Sequence, residues 1–399
     1  MKKSLFITLL LCSYCSFAQI NDGFENYVTE RKRQQDSVNK ARQDEMRSFV
    51  IKTQKDYQAY VNKEQEAYNN FIKEREKQWG KGNVKESTQK DWVEYSKDGL
   101  SRSIVDFENG EATIEIIQEP GQNIDKKEIE EKLKVLLTNK GTTKDYDSED
   151  EKAMPLQDSP VLANQMQTPS GEVVTEKNLE KSVKEIVENI KPEVKTVKGE
   201  DNVERQVFSY TFELAPDYIR TNAKKYKKEI EQYCNKWDVD PALAYAIMFT
   251  ESNFNPKAKS SVPAYGLMQI VPSTAGADCA KNLKKPFTQP TANYLYDPEN
   301  NIEMGVYYLH LLKERHYTEV TDKNSQTLCV IASYNAGAGG VSEALMGKGN
   351  TKISKAIPKI NEMSYNELFK YLEKNLPTET QDYIRKVTQR MNDFKNWMK

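Results

Sequence analysis

The sequence predicts an α+β protein, with a mainly α-helical C-terminal domain preceded by an α+β N-terminal domain that contains long polar helices. Three observations lead to this class. Apolar residues recur at helical spacing between about 23 and 79, residues 101–117 alternate around an Asn-Gly pair, and from about 215 onward helical spacing returns with short connections. We therefore place the domain boundary near residue 215, which gives domains at 19–214 and 215–399.

Residues 1–18 have the three parts of a secretory signal peptide. Lys2 and Lys3 supply the positive charge, residues 5–11 are apolar, and residues 16–18 form a small-residue cleavage site. The apolar run is too short to anchor the chain in a bilayer. We therefore expect an exported protein that works in the periplasm or cell envelope.

Attachment to a membrane through a lipid is a separate question. Cys12 and Cys15 are the candidate sites, but Leu11 and Tyr14 precede them, where a lipid-attachment signal has small residues. The signal sequence therefore does not support a lipid anchor, and association with the outer membrane or envelope is left open.

The overall charge disfavours a nucleic-acid partner, because 58 basic residues face 60 acidic ones. Only His310 and His316 are present, which excludes a multi-histidine metal site, and both are expected on a solvated helix face. No metal and no cofactor are expected. Cys234, Cys279 and Cys329 match neither a disulfide framework nor a zinc site, and the pairing of a single disulfide stays open.

The first helical segment carries a thin apolar stripe within a dense run of charged residues. Long helices that pack on each other or on the following domain explain this pattern better than a recognition helix does. The segment is expected to end at Trp79-Gly80. The stripe consists of Met46, Val50, Tyr57, Val61, Tyr68 and Phe71.

Two β-hairpins are expected in the rest of this domain. Residues 101–117 alternate on both sides of Asn109-Gly110, the favoured pair for a two-residue turn. Residues 194–197 and 207–214 alternate on both sides of a Gly-Glu-Asp-Asn turn. Amphipathic helices are expected at 126–137 and 179–190, with an acidic loop at 144–160.

In the C-terminal domain, Asp240-Pro241 and Asp297-Pro298 both predict helix starts. An aspartate can cap free backbone N–H groups, and proline suits the first helical position. On the first of these helices Leu243, Ile247 and Glu251 are four residues apart and share one face.

Glu251 is the candidate catalytic residue. A carboxyl group on a buried face is poorly hydrated when ionised, so its pKa rises and it can act as a general acid near neutral pH. The helix alone equally allows Glu251 to end the helix in water.

Three further motifs combine glycine with polar or aromatic residues, at 252–256, 264–270 and 332–337. Glycine lets a ligand approach the backbone, amides and tyrosine hydroxyls bind sugar hydroxyl and acetamido groups, and aromatic rings pack on sugar faces. Each motif alone is better explained by tight turns and core tyrosines than by ligand contacts.

Together these motifs resemble the soluble-lytic-transglycosylase family, which has a goose-type-lysozyme-like fold. The resemblance covers about residues 215–395. The N-terminal half is similar to the N-terminal domain of the murein transglycosylase C branch, through residues 79–81 and the hairpin at Asn109-Gly110. The catalytic-domain segments are AIMFTESNFNPKAKS, YGLMQIVPSTAG, DPENNIEMGVYYL, ASYNAGAGGV and ETQDYIRKV.

The resemblance implies a peptidoglycan glycan-strand substrate and a single catalytic acid and base, Glu251. It also implies a set of substrate-binding or orienting residues, and it leaves the oligomeric state open. Two alternatives remain, namely a goose-type muramidase that uses water and a non-catalytic peptidoglycan-binding protein. The implied site residues are Ser252, Gly266, Leu267, Met268, Gln269, Tyr334, Asn335 and Tyr383.

Overall fold

The computed structural model describes residues 2–122, 124–144 and 154–398, with side chains from residue 26 onward. Helix α1 spans Lys2–Trp79, so the expected end at Trp79 is confirmed, although one helix replaces the several expected. One compact unit ends at Ala59 and a second comprises Tyr60–Lys399. The signal-peptide prediction falls on residues 1–18, whose side chains are not described, so it stays a prediction.

The second unit contains a five-stranded antiparallel sheet with the strand order β1-β2-β3-β5-β4. Both expected hairpins are confirmed as β2–β3 and β4–β5. The first strand, β1, was not expected, because its five residues, DWVEY, carry too short a pattern. The strands are β1 Asp91–Tyr95, β2 Ser101–Asp106, β3 Glu111–Gln118, β4 Glu193–Lys198 and β5 Glu204–Glu213.

The turn of the β2–β3 hairpin differs from the expected two-residue turn. Asp106 pairs with Glu111, so the loop has four residues. The Asp106 carboxylate accepts the N–H groups of Glu108 and Asn109, each at 2.8 Å, and Phe107 is fully buried. The Asp106 carboxylate thus closes a four-residue loop, and the Phe107 ring lies in the core.

Helices α2 and α3 bury their apolar faces in the core of the sheet half and confirm the two expected amphipathic helices. Leu133 and Val183 are fully buried in that core. Part of the expected acidic loop, 145–153, lies outside the described residues. The helices are α2 Lys126–Thr138 and α3 Leu179–Glu188.

The residues from Tyr218 onward form a helical half around a second core. Both expected aspartate caps are confirmed: Asp240 accepts the Ala242 N–H, and Asp297 accepts the Asn300 N–H, each at 2.9 Å. A π-helix spans Pro272–Gly276 and a 3-10 helix spans Ile353–Lys355. The α-helices are α4 Tyr218–Lys225, α5 Lys227–Trp237, α6 Pro241–Ser252, α7 Ala277–Asn282, α8 Ala292–Tyr296, α9 Pro298–His316, α10 Lys323–Met346, α11 Ile357–Glu362, α12 Tyr365–Asn375 and α13 Thr378–Trp397.

Cys234, Cys279 and Cys329 are all free and buried. His310 and His316 are half-buried rather than solvated as expected. His310 Nδ1 lies 2.9 Å from the Trp237 carbonyl oxygen, which holds its ring against α5. Across the described ranges, no helix combines the length and apolar content that a membrane span requires.

Candidate active site

Glu251 lies in the last turn of α6, a helix whose residues from Ala242 to Met248 are all buried. The helix ends because Asn253 adopts a left-handed conformation, with φ 50°, and its N–H returns to the Phe249 carbonyl at 3.1 Å. The Glu251 side chain is half-buried. The apolar stripe therefore continues to a carboxyl group at the edge of the core.

Helix α13 packs against α6 and carries Tyr383 to this carboxyl group. The Tyr383 hydroxyl donates a hydrogen bond of 2.6 Å to Glu251 Oε1. Burial raises the pKa of Glu251 to about 7, and Glu379 adds to the rise, while the Tyr383 hydrogen bond and the Lys90 charge oppose it. Near neutral pH this carboxyl group can therefore both give up and accept a proton.

A tight loop, residues 264–270, follows α6 in the chain. Gly266 has φ 73°, and a Cβ there would lie 2.3 Å from the Leu295 carbonyl oxygen, so only glycine fits. Gln269 also has a positive φ, 48°, and its Nε2 donates to the carbonyls of Gly266 at 2.9 Å and Ala258 at 3.0 Å. Backbone geometry and side-chain hydrogen bonds together fix the shape of this loop.

Asn301, which the sequence reasoning did not select, anchors the same loop from α9. It is fully buried, accepts the Met268 N–H at 2.8 Å, and donates to the carbonyls of Tyr265 at 2.8 Å and Leu295 at 2.7 Å. One amide thus satisfies three backbone groups. The sequence contained one sign of this role. A polar asparagine directly precedes the apolar Ile302, in a helix whose apolar residues were expected to face the core.

Three of the expected binding residues turn their side chains into the protein. Leu267, Met268 and Ser252 are fully buried. The Ser252 hydroxyl donates to the Leu267 carbonyl at 2.7 Å and also contacts the Met248 carbonyl at 3.0 Å. These buried side chains therefore dock the loop on α6, and the roles expected for the three residues stay predictions.

Tyr334 and Asn335 connect α10 to the same region. The Tyr334 hydroxyl donates to the Met268 carbonyl at 2.8 Å. Asn335 Oδ1 accepts the Thr380 hydroxyl at 2.7 Å, beside Glu379 at the start of α13. The expected residues from four separate chain segments thus converge around Glu251 and the loop.

Lys90 is a second residue that the sequence reasoning did not select. Its Nζ donates to the Thr250 carbonyl at 2.7 Å and to Asn253 Oδ1 at 2.9 Å. Burial lowers the pKa of Lys90 to about 8, Arg390 lowers it further, and Glu251 opposes this change. No local pattern marks this residue, because its partners lie far along the chain.

Comparisons with known proteins match both halves of the chain. Residues 228–357 match the Transglycosylase SLT domain family, and residues 52–225 match the N-terminal domain family of membrane-bound lytic murein transglycosylase C. The membrane-bound lytic murein transglycosylase C of Salmonella typhimurium is 31% identical over 329 residues, which are 82% of this chain and 87% of the relative. The chain belongs to the membrane-bound lytic murein transglycosylase C family.

A second relative agrees with this assignment. The Sodalis glossinidius protein of the same name is 29% identical over 326 residues, covering 82% of this chain and 88% of that relative. Among solved structures, the 70 kDa soluble lytic transglycosylase from Escherichia coli is 25% identical, with a TM-score of 0.34, over 46% of this chain and 26% of that chain.

Membership in the murein transglycosylase C family confirms the resemblance stated from the sequence, and the α+β class is confirmed by the structure. The two matched regions meet between residues 225 and 228. The boundary near 215 and the roles of the site residues stay predictions.

Proposed function

We propose a specific reaction for this chain, which by its family is a lytic transglycosylase of peptidoglycan. It cleaves the β-1,4 bond between N-acetylmuramic acid and N-acetylglucosamine without water. The products are an N-acetylglucosamine end and a 1,6-anhydro-N-acetylmuramic acid end. Glu251 acts first as the acid and then as the base.

The observation that carries the proposal is the half-buried Glu251 carboxyl group, which accepts a 2.6 Å hydrogen bond from Tyr383. In the first step, protonated Glu251 donates its proton to the glycosidic oxygen as the bond to the anomeric carbon breaks. The acetamido group of the substrate stabilises the positive charge that develops on the sugar.

In the second step, the Glu251 carboxylate removes the proton of the muramoyl 6-hydroxyl, whose oxygen attacks the anomeric carbon. The ring closes and Glu251 is protonated again. The reaction therefore consumes no water and needs no second carboxyl group. Most glycosidases need two carboxyl groups, because one must activate water or act as a nucleophile. Tyr383 orients the carboxyl group through its hydrogen bond in both steps.

We assign the remaining site residues to substrate binding by position. Gly266 and Gln269 present the loop backbone, and Tyr334 and Asn335 lie on α10 beside the loop. Ser252, Leu267 and Met268 act indirectly by holding this loop on α6.

We place the activity in the periplasm or cell envelope. The relatives carry the words membrane-bound in their names, and residues 1–18 read as an export signal.

The proposed role of Glu251 is tested by digesting purified peptidoglycan sacculi with the wild type and with Glu251→Gln. The variant removes the transferable proton, so turnover should fall about 10²- to 10⁴-fold while the protein stays folded. Glu314→Gln, at an exposed glutamate of α9, is the matched control and should digest like the wild type.

The mass of the released fragments separates the alternatives. Anhydromuramoyl ends support the proposal, whereas reducing ends that are one water heavier identify a muramidase. A wild-type protein that binds sacculi but releases nothing would identify a non-catalytic binding protein.

A further inference from the structure

Lys90 is the point at which the chain before β1 reaches the end of the catalytic helix. Its Nζ donates to the Thr250 carbonyl at 2.7 Å and to Asn253 Oδ1 at 2.9 Å. Thr250 directly precedes Glu251 in α6, and Asn253 ends that helix. The ammonium group therefore contacts residues on both sides of the candidate catalytic residue.

These contacts hold the last turn of α6 in place. Carbonyl groups in the last turn of a helix lack partners within the helix, and a cation near them is favourable because of the helix dipole. Asn253 Nδ2 in turn donates to the Phe107 carbonyl at 3.0 Å, in the β2–β3 loop. The turn that carries Glu251 is thus fixed by Lys90 and by the sheet half.

The charged groups that act on Lys90 and Glu251 belong to α13 and to the β2–β3 loop, and the two residues also act on each other. Arg390 and Lys386 of α13 repel the Lys90 cation, whereas Glu108 of the β2–β3 loop and Glu251 attract it. Glu251 faces the Lys90 cation and also Glu379 and Tyr383 of α13. Glu251 ionises most readily when Lys90 is charged, because the opposite charge stabilises the carboxylate.

We propose that Lys90 is a positioning residue that fixes the last turn of α6 and uses its charge to set the proton affinity of Glu251. This inference rests on the proposed role of Glu251 as acid and base. After Glu251 has donated its proton to the glycosidic oxygen, the nearby ammonium group stabilises the carboxylate that must then act as the base. The N-terminal half thereby completes the catalytic site.

The test is the pH dependence of kcat/KM on soluble glycan strands for the wild type, Lys90→Gln and Lys90→Arg. Glutamine keeps an N–H donor, one chain atom closer to the backbone, but carries no charge, whereas arginine keeps the charge. Because only protonated Glu251 starts the reaction, the alkaline limb of the profile reports its pKa. We expect this limb to move up by about one pH unit in Lys90→Gln and to stay at the wild-type position in Lys90→Arg.

Lys90→Met removes both the charge and the hydrogen bonds, so it should show the same shift together with lower activity at every pH. Thermal unfolding checks that each variant is folded. If Lys90→Met does not fold, the comparison of the Gln and Arg variants decides. A limb that stays in place in Lys90→Gln, with activity lost evenly across the pH range, would overturn the proposal.

Glu251→Gln, measured on the same substrate, separates this inference from the proposed function. If that variant keeps full turnover, the role of Glu251 itself is wrong. If it is inactive and Lys90→Gln leaves the alkaline limb in place, only the role of Lys90 is wrong.

Discussion

At the scale of the residue, opposing influences set the protonation of Glu251. Burial favours the protonated acid, and Tyr383 and Lys90 favour the carboxylate. A carboxyl group in bulk water would ionise well below neutral pH and could not protonate a glycosidic oxygen. In the proposed reaction, a carboxyl group buried without these two partners would hold its proton more tightly and donate it less readily.

The same burial has a cost in stability that depends on pH. The pKa of Glu251 is about 7 in the folded protein, above its ordinary value of 4.5. The folded state therefore binds the proton more tightly than the unfolded state does. The stabilisation from this tighter proton binding is present in full below pH 4.5 and is lost as the pH rises through 7.

Glu251→Gln should consequently be more stable than the wild type at pH 8, by about 1 to 3 kcal/mol, and close to it at pH 5. Glutamine is neutral at both pH values, so it avoids burying an ionised group. Thermal unfolding of both proteins at the two pH values measures the difference. Glu314→Gln, at an exposed site, should show no such dependence, and an equal gap at pH 5 and pH 8 would contradict the account.

At the scale of the element, the 264–270 loop depends on one amide from a distant helix. Asn301 binds the Met268 N–H and the carbonyls of Tyr265 and Leu295 in a fully buried place. The loop cannot replace these bonds with water while it stays folded onto α9.

Asn301→Ala should therefore cost about 3 kcal/mol or more, since each buried group left without a partner costs about 1 to 3 kcal/mol. We also expect faster hydrogen exchange at the Met268 amide and lower activity, because the loop adjoins Glu251. Asn300→Ala, at the neighbouring half-buried position, is the control and should change stability by much less. Unchanged exchange at Met268 would show that the loop keeps its shape by other means.

The elements that the sequence predicted well are those with local signals. Asp240-Pro241 and Asp297-Pro298 begin helices because a cap and a proline act within a few residues. The hairpin at Asn109-Gly110 was placed correctly, but its loop was not, because the Asp106 carboxylate binds the Glu108 and Asn109 N–H groups and closes a four-residue loop.

At the scale of the whole molecule, the site joins residues from both halves of the compact unit Tyr60–Lys399. Glu251 and Tyr383 could be proposed from the family resemblance. Lys90 and Asn301 could not be selected, because their partners are far away in sequence and lysine or asparagine alone is usually a surface residue. The buried positions of Leu267 and Met268 were likewise decided only by how the loop packs.

In the proposed reaction, one carboxyl group promotes closure of a ring within the substrate, and water takes no part. Digestion of peptidoglycan in water enriched with ¹⁸O tests it most directly, with mass analysis of the newly formed muramoyl ends. We expect anhydro ends that contain no ¹⁸O. Muramoyl ends that carry one ¹⁸O atom at the anomeric carbon would contradict it.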